Sequence, residues 1–239
     1  MIEIDGKQVF TELEELVDPE HTALVVVDMQ RDFCSAGGAF DRLGVDISMY
    51  PPMIPRLARL VEGARAAGVT IVWILMTTLP GRLTESPAYI RFNMRMQATA
   101  ALGAAITYTE DGSQGQALID GFAARADELV VKKYRSSAFW GTNLDLLLRS
   151  NGIQTVVMTG CTTEGCVEST ARDAMFNDYY VVVAEDCVAS DDRAQHDASL
   201  FLMRRRFDVF ESEQVLRQWS STPPNATGQC PRPHPDTRS

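Results

Sequence analysis

The sequence predicts an α/β fold in which a doubly wound, mostly parallel six-stranded sheet carries helices on both faces. Short apolar runs rich in valine alternate with segments of helical periodicity along most of the chain, and this alternation is typical of parallel strands joined by helical crossovers. The first run, ALVVV at residues 23–27, is apolar at every position, as in strands buried on both faces. The chain length of 239 residues suits one large domain of this class.

Six runs are predicted as strands. They are residues 23–27, 69–76, 128–132, 155–158, 181–184 and 208–210. The segments that follow them are predicted as helices, at residues 52–67, 143–152, 165–177, 193–206 and 213–219. Pro52 near the start and Gly68 after the end delimit the first helix, and Thr142 is expected to be the N-cap of the second.

Composition divides the chain into three parts. Residues 1–20 are charged and are predicted to form an N-terminal arm, residues 21–219 form the domain, and residues 220–239 form a disordered tail rich in proline. The irregular segment at residues 77–112 is long for a connection inside a domain. It is interpreted either as a loop that covers the pocket or as a surface excursion with a short helix.

Charge and cysteine content exclude several classes of protein. A net charge of −10 and a pI near 4.8 argue against a nucleic-acid partner, because phosphate binding needs clustered Lys and Arg. No apolar run approaches the ~18 residues of a membrane span, so no membrane insertion is expected. The cysteines do not show C-x-x-C spacing, and the N-terminal sequence does not resemble a signal peptide. Both observations indicate free thiols in a reducing cytoplasm.

Three polar residues stand at the ends of predicted strands, where open α/β sheets bind their ligands. Asp28 ends the first strand, Lys133 follows the third, and Cys166 begins the helix after the fourth. A helix N-terminus favours thiolate over thiol, so Cys166 is the candidate nucleophile, Asp28 its base and Lys133 a stabilising cation. Each residue alone has an ordinary interpretation, as a buried small side chain or a surface charge.

Three blocks of sequence resemble the isochorismatase-like cysteine hydrolases, a family that includes nicotinamidases and the amidohydrolases of N-carbamoylsarcosine, ureidoacrylate and biuret. The blocks are VVVDMQRDFC, KKYRSSAFWGTNLDLLL and TGCTTEGCVESTARDA, within a resemblance that covers about residues 20 to 215. It implies a Rossmann-type three-layer fold and a catalytic triad of Asp28, Lys133 and Cys166. Lys133 is preferred to Lys132 because it stands six residues before Phe139 in the K-x-x-x-S-A-F pattern.

The resemblance also implies the surroundings of the nucleophile. A cis peptide is expected at Cys161-Thr162, and the backbone N–H groups of Thr162 and Cys166 are expected to form an oxyanion hole. The reaction implied is hydrolysis of an amide through a thioester, with release of ammonia. The candidates for binding substrate are Gln30, Phe33, Tyr89, Arg91, Asn93, Trp140, Thr163 and Glu164.

Departures from the family pattern narrow the expected substrate to a small amide of carbamoyl or ureido type. The metal motif of nicotinamidases, Asp-x-His after the second strand, is replaced here by LMTTLPGRLTESP, and none of the three histidines has a partner at ligand spacing. We therefore expect no metal and no cofactor. A homo-oligomer, either a dimer or a tetramer, is also expected.

Two other functions are left open by the sequence. The same fold supports vinyl-ether hydrolysis of the isochorismate type, although those relatives lack the nucleophilic cysteine. A non-catalytic binding or oligomerisation module of the same fold is the second alternative.

Overall fold

The computed structural model describes residues 1–96 and 106–221. The strands are β1 (Ile2–Ile4), β2 (Lys7–Val9), β3 (Thr22–Val27), β4 (Thr70–Met76), β5 (Leu129–Lys133), β6 (Thr155–Cys161), β7 (Tyr180–Ala189) and β8 (Asp208–Phe210). The helices are α1 (Leu13–Leu16), α2 (Arg31–Cys34), α3 (Ala39–Arg42), α4 (Tyr50–Ala67), α5 (Pro87–Met96), α6 (Leu144–Ser150), α7 (Glu168–Phe176), α8 (Arg193–Met203) and α9 (Ser212–Ser221). A π-helical turn, Thr163–Val167, precedes α7.

Six strands form the central sheet in the order β5-β4-β3-β6-β7-β8, and every neighbouring pair is parallel. The chain therefore winds outward from β3 to one edge, returns to β6 beside β3, and winds to the other edge. The order reverses between β3 and β6, where the crevice of a doubly wound sheet lies. The predicted fold class is confirmed.

Helices cover both faces of this sheet and enclose two apolar layers. On one face α4 and α9 pack against β3, with Leu57 and Trp219 among their buried residues. On the other face α6, α7 and α8 pack against the alternate side chains of the same strand, as Leu148 and Ala171 show. Burial of β3 on both faces explains why its sequence, TALVVV, is almost entirely apolar.

In the second half of the sheet, two strands are longer than predicted. β6 continues to Cys161 and β7 continues to Ala189, beyond the predicted ends at residues 158 and 184. A register shift between Met158 and Gly160 lets the two strands resume pairing, Gly160 with Val188 and Cys161 with Ala189. The helix predicted from Gly165 is instead a π-helical turn followed by α7.

Helix ends also differ from the prediction. The N-cap of α6 is Asn143 and not Thr142, although the Thr142 hydroxyl accepts a hydrogen bond from the N–H of Leu144 at 3.1 Å. The helix predicted to reach residue 206 ends at Met203, and α9 continues to Ser221, two residues past the predicted end of the domain. The remaining predicted tail, residues 222–239, lies outside the described residues.

The N-terminal arm packs against the domain of its own chain. β1 and β2 form an antiparallel hairpin, and the Phe10 ring that follows stacks on His21 at 4.8 Å and on Tyr180 at 4.9 Å. Val17 is fully buried, and its carbonyl accepts a hydrogen bond from Trp219 Nε1 at 2.8 Å. This packing was not predicted, because the many charged residues of the arm suggested a solvent-exposed segment.

No helix in the two described ranges combines the length and the apolar character needed to cross a membrane.

Candidate active site

The ends of β3 and β5 and the turn after β6 bring three polar side chains into contact. Lys133 Nζ lies 2.8 Å from Asp28 Oδ2 and 3.1 Å from Cys166 Sγ. The Asp28 carboxyl group and the Cys166 thiol also interact electrostatically. The residues that sequence analysis singled out therefore form one cluster at the carboxyl edge of the sheet.

Asp28 is held in place by the strand that lies beside β3. Its φ of +52° turns the chain sharply where the strand ends, and its N–H donates to the carbonyl of Ile74 at 3.0 Å. The N–H of Met76, at the end of β4, donates to Asp28 Oδ1 at 2.9 Å. One carboxylate oxygen is thus fixed by the backbone, and the other faces Lys133 and Cys166.

Lys133 is completely buried, which is rare for an ammonium group without a partner. Its Nζ also donates to the Arg135 carbonyl at 3.1 Å and contacts Met76 Sδ at 3.5 Å. Burial alone would lower the pKa of Lys133, but the charges of Asp28 and Cys166 outweigh it and raise that pKa. Its partners therefore favour the charged form of Lys133.

The pKa of the Cys166 thiol is raised in this site, whereas a helix N-terminus was expected to lower it. Burial and the Asp28 charge raise the pKa of this thiol, and the Lys133 charge lowers it. Together they raise the pKa to about 12. Burial also raises the pKa of the Asp28 carboxyl, against the opposing effect of Lys133. The raised pKa makes Asp28 a stronger base beside the Cys166 thiol, an arrangement suited to proton transfer between them.

The turn that carries Cys166 begins at a cis peptide between Cys161 and Thr162, as the resemblance implied. The N–H groups of Gly165 and Val167 both donate to the Thr162 carbonyl, at 3.2 and 3.1 Å. The chain therefore curls around Thr162 and presents the Cys166 side chain toward β3 and β5.

A cavity opens above the three polar residues. Its apolar wall consists of Phe33, Phe40, Val45, Met76, Tyr89, Phe92, Met96 and Tyr108. Its polar wall consists of Asp28, Asn93, Ser136, Cys161, Thr162, Glu164, Gly165, Cys166 and Asp191. The segment at residues 77–112 contributes both α5 and Tyr108, so it forms a wall of the cavity as well as containing a short helix; residues 97–105 lie outside the described residues.

Four of the predicted substrate-binding residues line this cavity, namely Phe33, Tyr89, Asn93 and Glu164. The other four are absent from its wall in the described part of the chain. Arg91 and Trp140 are exposed, Trp140 by 70 %, and their placement does not support contact with a substrate. Arg91 had been suggested by its place in the irregular segment at residues 77–112.

Gln30 and Thr163 are buried and engaged elsewhere. Gln30 Nε2 donates to the carbonyls of Met76 and Gln116, at 3.0 and 2.8 Å, and its Oε1 accepts from the Met76 N–H. Thr163 Oγ1 lies 2.8 Å from His196 Nδ1. These side chains stabilise the segments around the site through hydrogen bonds and do not line its cavity.

Sequence analysis missed several residues of the wall, among them Phe40, Tyr108 and Asp191. Phe40 and Tyr108 pack on Phe33, with ring centroids 4.9 and 5.4 Å apart. Asp191 lies just past Ala189, the last residue of β7. The rule that polar residues follow strand ends could have found Asp191, had the strand been predicted to its full length.

No group of three or more His, Cys, Asp or Glu side chains within the described residues could hold a metal ion.

Comparison with known proteins identifies the family of the chain. Residues 22–214 match the model of the isochorismatase domain. A ureidoacrylate amidohydrolase RutB from Methylobacterium radiotolerans is 34% identical over 219 residues, which cover 88% of this chain and 85% of the relative. Another protein of the same name, from Enterobacter sp., is 37% identical over 176 residues and covers 70% and 75%.

Solved structures give the same result. An isochorismatase-like hydrolase from Alkaliphilus metalliredigens superposes with a TM-score of 0.66 at 27% identity, over 83% of this chain and 96% of the other. An N-carbamoylsarcosine amidase from Thermoplasma acidophilum superposes with a TM-score of 0.62 at 28% identity, over 81% and 97%. With its parallel sheet, its matching domain and these relatives, the chain belongs to the isochorismatase-like hydrolase family.

Proposed function

We propose that this protein is an amidohydrolase that cleaves the C–N bond of a small carbamoyl or ureido amide through a thioester on Cys166. The observation that carries the proposal is the contact of one buried ammonium group, Lys133 Nζ, with both the Asp28 carboxylate and the Cys166 sulfur. Relatives named for amide hydrolysis, of ureidoacrylate and of N-carbamoylsarcosine, support the reaction class.

The first half of the reaction forms the thioester. Asp28 accepts the thiol proton of Cys166 as the sulfur bonds to the substrate carbonyl carbon, and the carbonyl electron pair moves to its oxygen. The backbone N–H groups of Thr162 and Cys166 are assigned to that oxyanion, where a single donor is worth on the order of 3 kcal/mol. The C–N bond then breaks, and Asp28 returns the proton to the departing nitrogen, which leaves as ammonia.

The second half regenerates the enzyme. Asp28 removes a proton from water, whose oxygen attacks the thioester carbon, and the C–S bond breaks as the acid product forms. The Cys166 thiolate then recovers its proton from Asp28. Lys133 stays charged throughout and stabilises the anion, whether the negative charge lies on Asp28 or on sulfur. The vinyl-ether alternative gives this buried sulfur no role, so the geometry favours the amidohydrolase.

We also propose a three-part chain whose domain extends to Ser221, a cytoplasmic location and a homo-oligomer.

Ammonia release and thiol labelling test the proposal together. In the unmodified protein we expect iodoacetamide to alkylate Cys166, with parallel loss of ammonia release from a panel of biuret, carbamoyl amino acids, ureidoacrylate and simple aryl amides. Because the thiol pKa is about 12, the labelling rate rises roughly tenfold per pH unit between pH 7 and pH 10.

Cys166→Ala removes the nucleophile, whereas Cys187→Ala removes a buried thiol that does not line the cavity in the described part of the chain and is the matched control. We expect Cys166→Ala to abolish ammonia release and Cys187→Ala to retain it. Persistent release in Cys166→Ala would disprove the thioester route.

A further inference from the structure

The cavity wall carries acidic groups but, within the described residues, no Lys or Arg side chain. Asp28 is neutralised by Lys133 at 2.8 Å, which leaves Glu164 and Asp191 as the net charges that a bound molecule meets. The described part of the wall is therefore acidic.

Glu164 presents an acceptor that no protein group satisfies. Its Oε2 atom is buried and has no hydrogen-bond partner among the described residues. Burial raises the pKa of this carboxyl group, and contacts with Ser190 and Thr162 offset only part of that effect. A buried acceptor without a partner costs roughly 1–3 kcal/mol, so a donor supplied by a bound molecule would be favourable here.

The position of Glu164 places that acceptor next to the reaction. It belongs to the same π-helical turn as Cys166 and lines the same cavity. A molecule that reaches the Cys166 sulfur through this cavity therefore also meets Glu164. A carboxylate oxygen accepts N–H groups and repels another carboxylate.

Arg135, beside the cavity, is already committed to other groups. Its guanidinium carbon lies 4.2 Å from the centre of the Tyr89 ring, and its Nη1 donates to the Tyr134 carbonyl at 2.5 Å. Its own carbonyl accepts from Lys133. The Arg135 side chain does not line the described part of the cavity, so a substrate carboxylate there has no direct contact with this cation.

The opposite wall is aromatic. Phe33, Phe40 and Tyr108 pack edge to face, with ring centroids 4.9 to 5.9 Å apart, and Tyr89 and Phe92 stack at 5.7 Å. Such rings favour apolar bodies and tolerate cations on their faces. The ring faces offer no positive charge to a carboxylate, and the Tyr108 hydroxyl already donates to Asn93 Oδ1 at 3.4 Å.

Building on the proposed function, we infer that the cavity selects amides that carry no carboxylate group, with Glu164 accepting an N–H of the substrate and Asp191 adding to the repulsion of anions. The substrate body is apolar or polar without negative charge and lies on the aromatic wall. This selectivity would separate the chain from relatives named for an acrylate, which is itself a carboxylate.

Alkylation of Cys166 tests this charge selectivity without a known substrate. Iodoacetamide carries an amide where iodoacetate carries a carboxylate, and the two reagents are otherwise alike. The ratio of their alkylation rates with glutathione serves as the reference. We expect the unmodified protein to favour iodoacetamide at least about tenfold beyond that ratio. Glu164→Gln and Asp191→Asn should each reduce this preference at least about threefold, whereas Glu14→Gln, an exposed charge on α1, should leave it unchanged.

Two matched ureas extend the test to turnover. We expect kcat/KM for 3-ureidopropionamide to exceed that for 3-ureidopropionate at least about tenfold, with a smaller margin in Glu164→Gln. Alkylation ratios equal to those of glutathione, or Cys166-dependent turnover that is faster on the carboxylate, would overturn the selectivity and leave the amidohydrolase proposal standing. Ammonia release that survives in Cys166→Ala would instead remove the proposed function.

Discussion

Lys133 and Lys132 are adjacent in sequence and opposite in environment, because successive residues of a strand point to opposite faces. Lys133 is completely buried and contacts Asp28 and Cys166. Lys132 is 46 % exposed and forms an ion pair with Asp111 at 2.5 Å. Removing the buried cation leaves an uncompensated carboxylate, whereas removing the exposed one leaves a carboxylate that water can solvate.

We therefore predict that Lys133→Met lowers ammonia release at least about 100-fold and the free energy of unfolding by about 3 kcal/mol. Lys132→Met should change the free energy of unfolding by less than about 0.5 kcal/mol and leave turnover near that of the unmodified protein. Urea unfolding and a steady-state ammonia assay measure both effects. Equal losses in the two variants would contradict the assigned role of Lys133.

At the scale of elements, the contact of β6 with β3 depends on a glycine. Gly160 has a φ of +102°, and a Cβ there would lie 2.0 Å from the Val27 carbonyl oxygen. It also stands where the register of β6 and β7 shifts. This close approach positions the Cys161-Thr162 turn above Asp28. Any larger side chain must push apart the strands that flank the crevice.

Gly160→Ala should accordingly destabilise the protein by at least about 3 kcal/mol, through both the positive φ and the clash with backbone. Gly152→Ala is the control, since Gly152 has a φ of +70° but a Cβ added there would meet no atom within 4 Å, and it should cost only about 1 kcal/mol. Comparison of urea midpoints separates the steric part from the conformational part. A similar cost at both positions would show that strand contact is unimportant.

Elements also show what the sequence could predict. Asp28, Lys133 and Cys166 were found because each follows an apolar run, and parallel strands end at one edge. Asp191 was missed because Glu185 and Asp186, half-buried within β7, interrupt the apolar pattern although the strand continues through them. Tyr108 was missed because the path of its connection depends on tertiary contacts, which have no local periodicity.

At the scale of the whole molecule, Glu128 joins three parts of the chain. Its carboxylate accepts from Arg65 Nε on α4 at 2.7 Å, from Trp73 Nε1 on β4 at 2.7 Å, and from the Arg125 N–H at 2.8 Å. Burial alone would raise the pKa of Glu128, but these hydrogen bonds lower it to about 2. The ionised form is therefore the one that stabilises the fold.

A group whose pKa is lower in the folded than in the unfolded state stabilises the fold above its unfolded pKa. We predict that Glu128→Gln lowers the free energy of unfolding at pH 7 by about 2 kcal/mol. The difference from the unmodified protein should shrink as pH falls from about 4.5 toward about 2. Urea titrations at pH 7, 4 and 3 measure it, with Glu62→Gln, whose side chain is 62% exposed, expected to show little effect at any of them.

The order of the strands has a consequence for synthesis. Asp28 and Lys133 leave the ribosome before Cys166, and the wall residue Asp191 comes later still, after β7. A nascent chain that has not yet released β6 lacks Cys166 beside Asp28, and one that lacks β7 holds an incomplete pocket. On the proposed mechanism, a half-made chain is therefore expected to be inactive, and turnover requires both halves of the sheet.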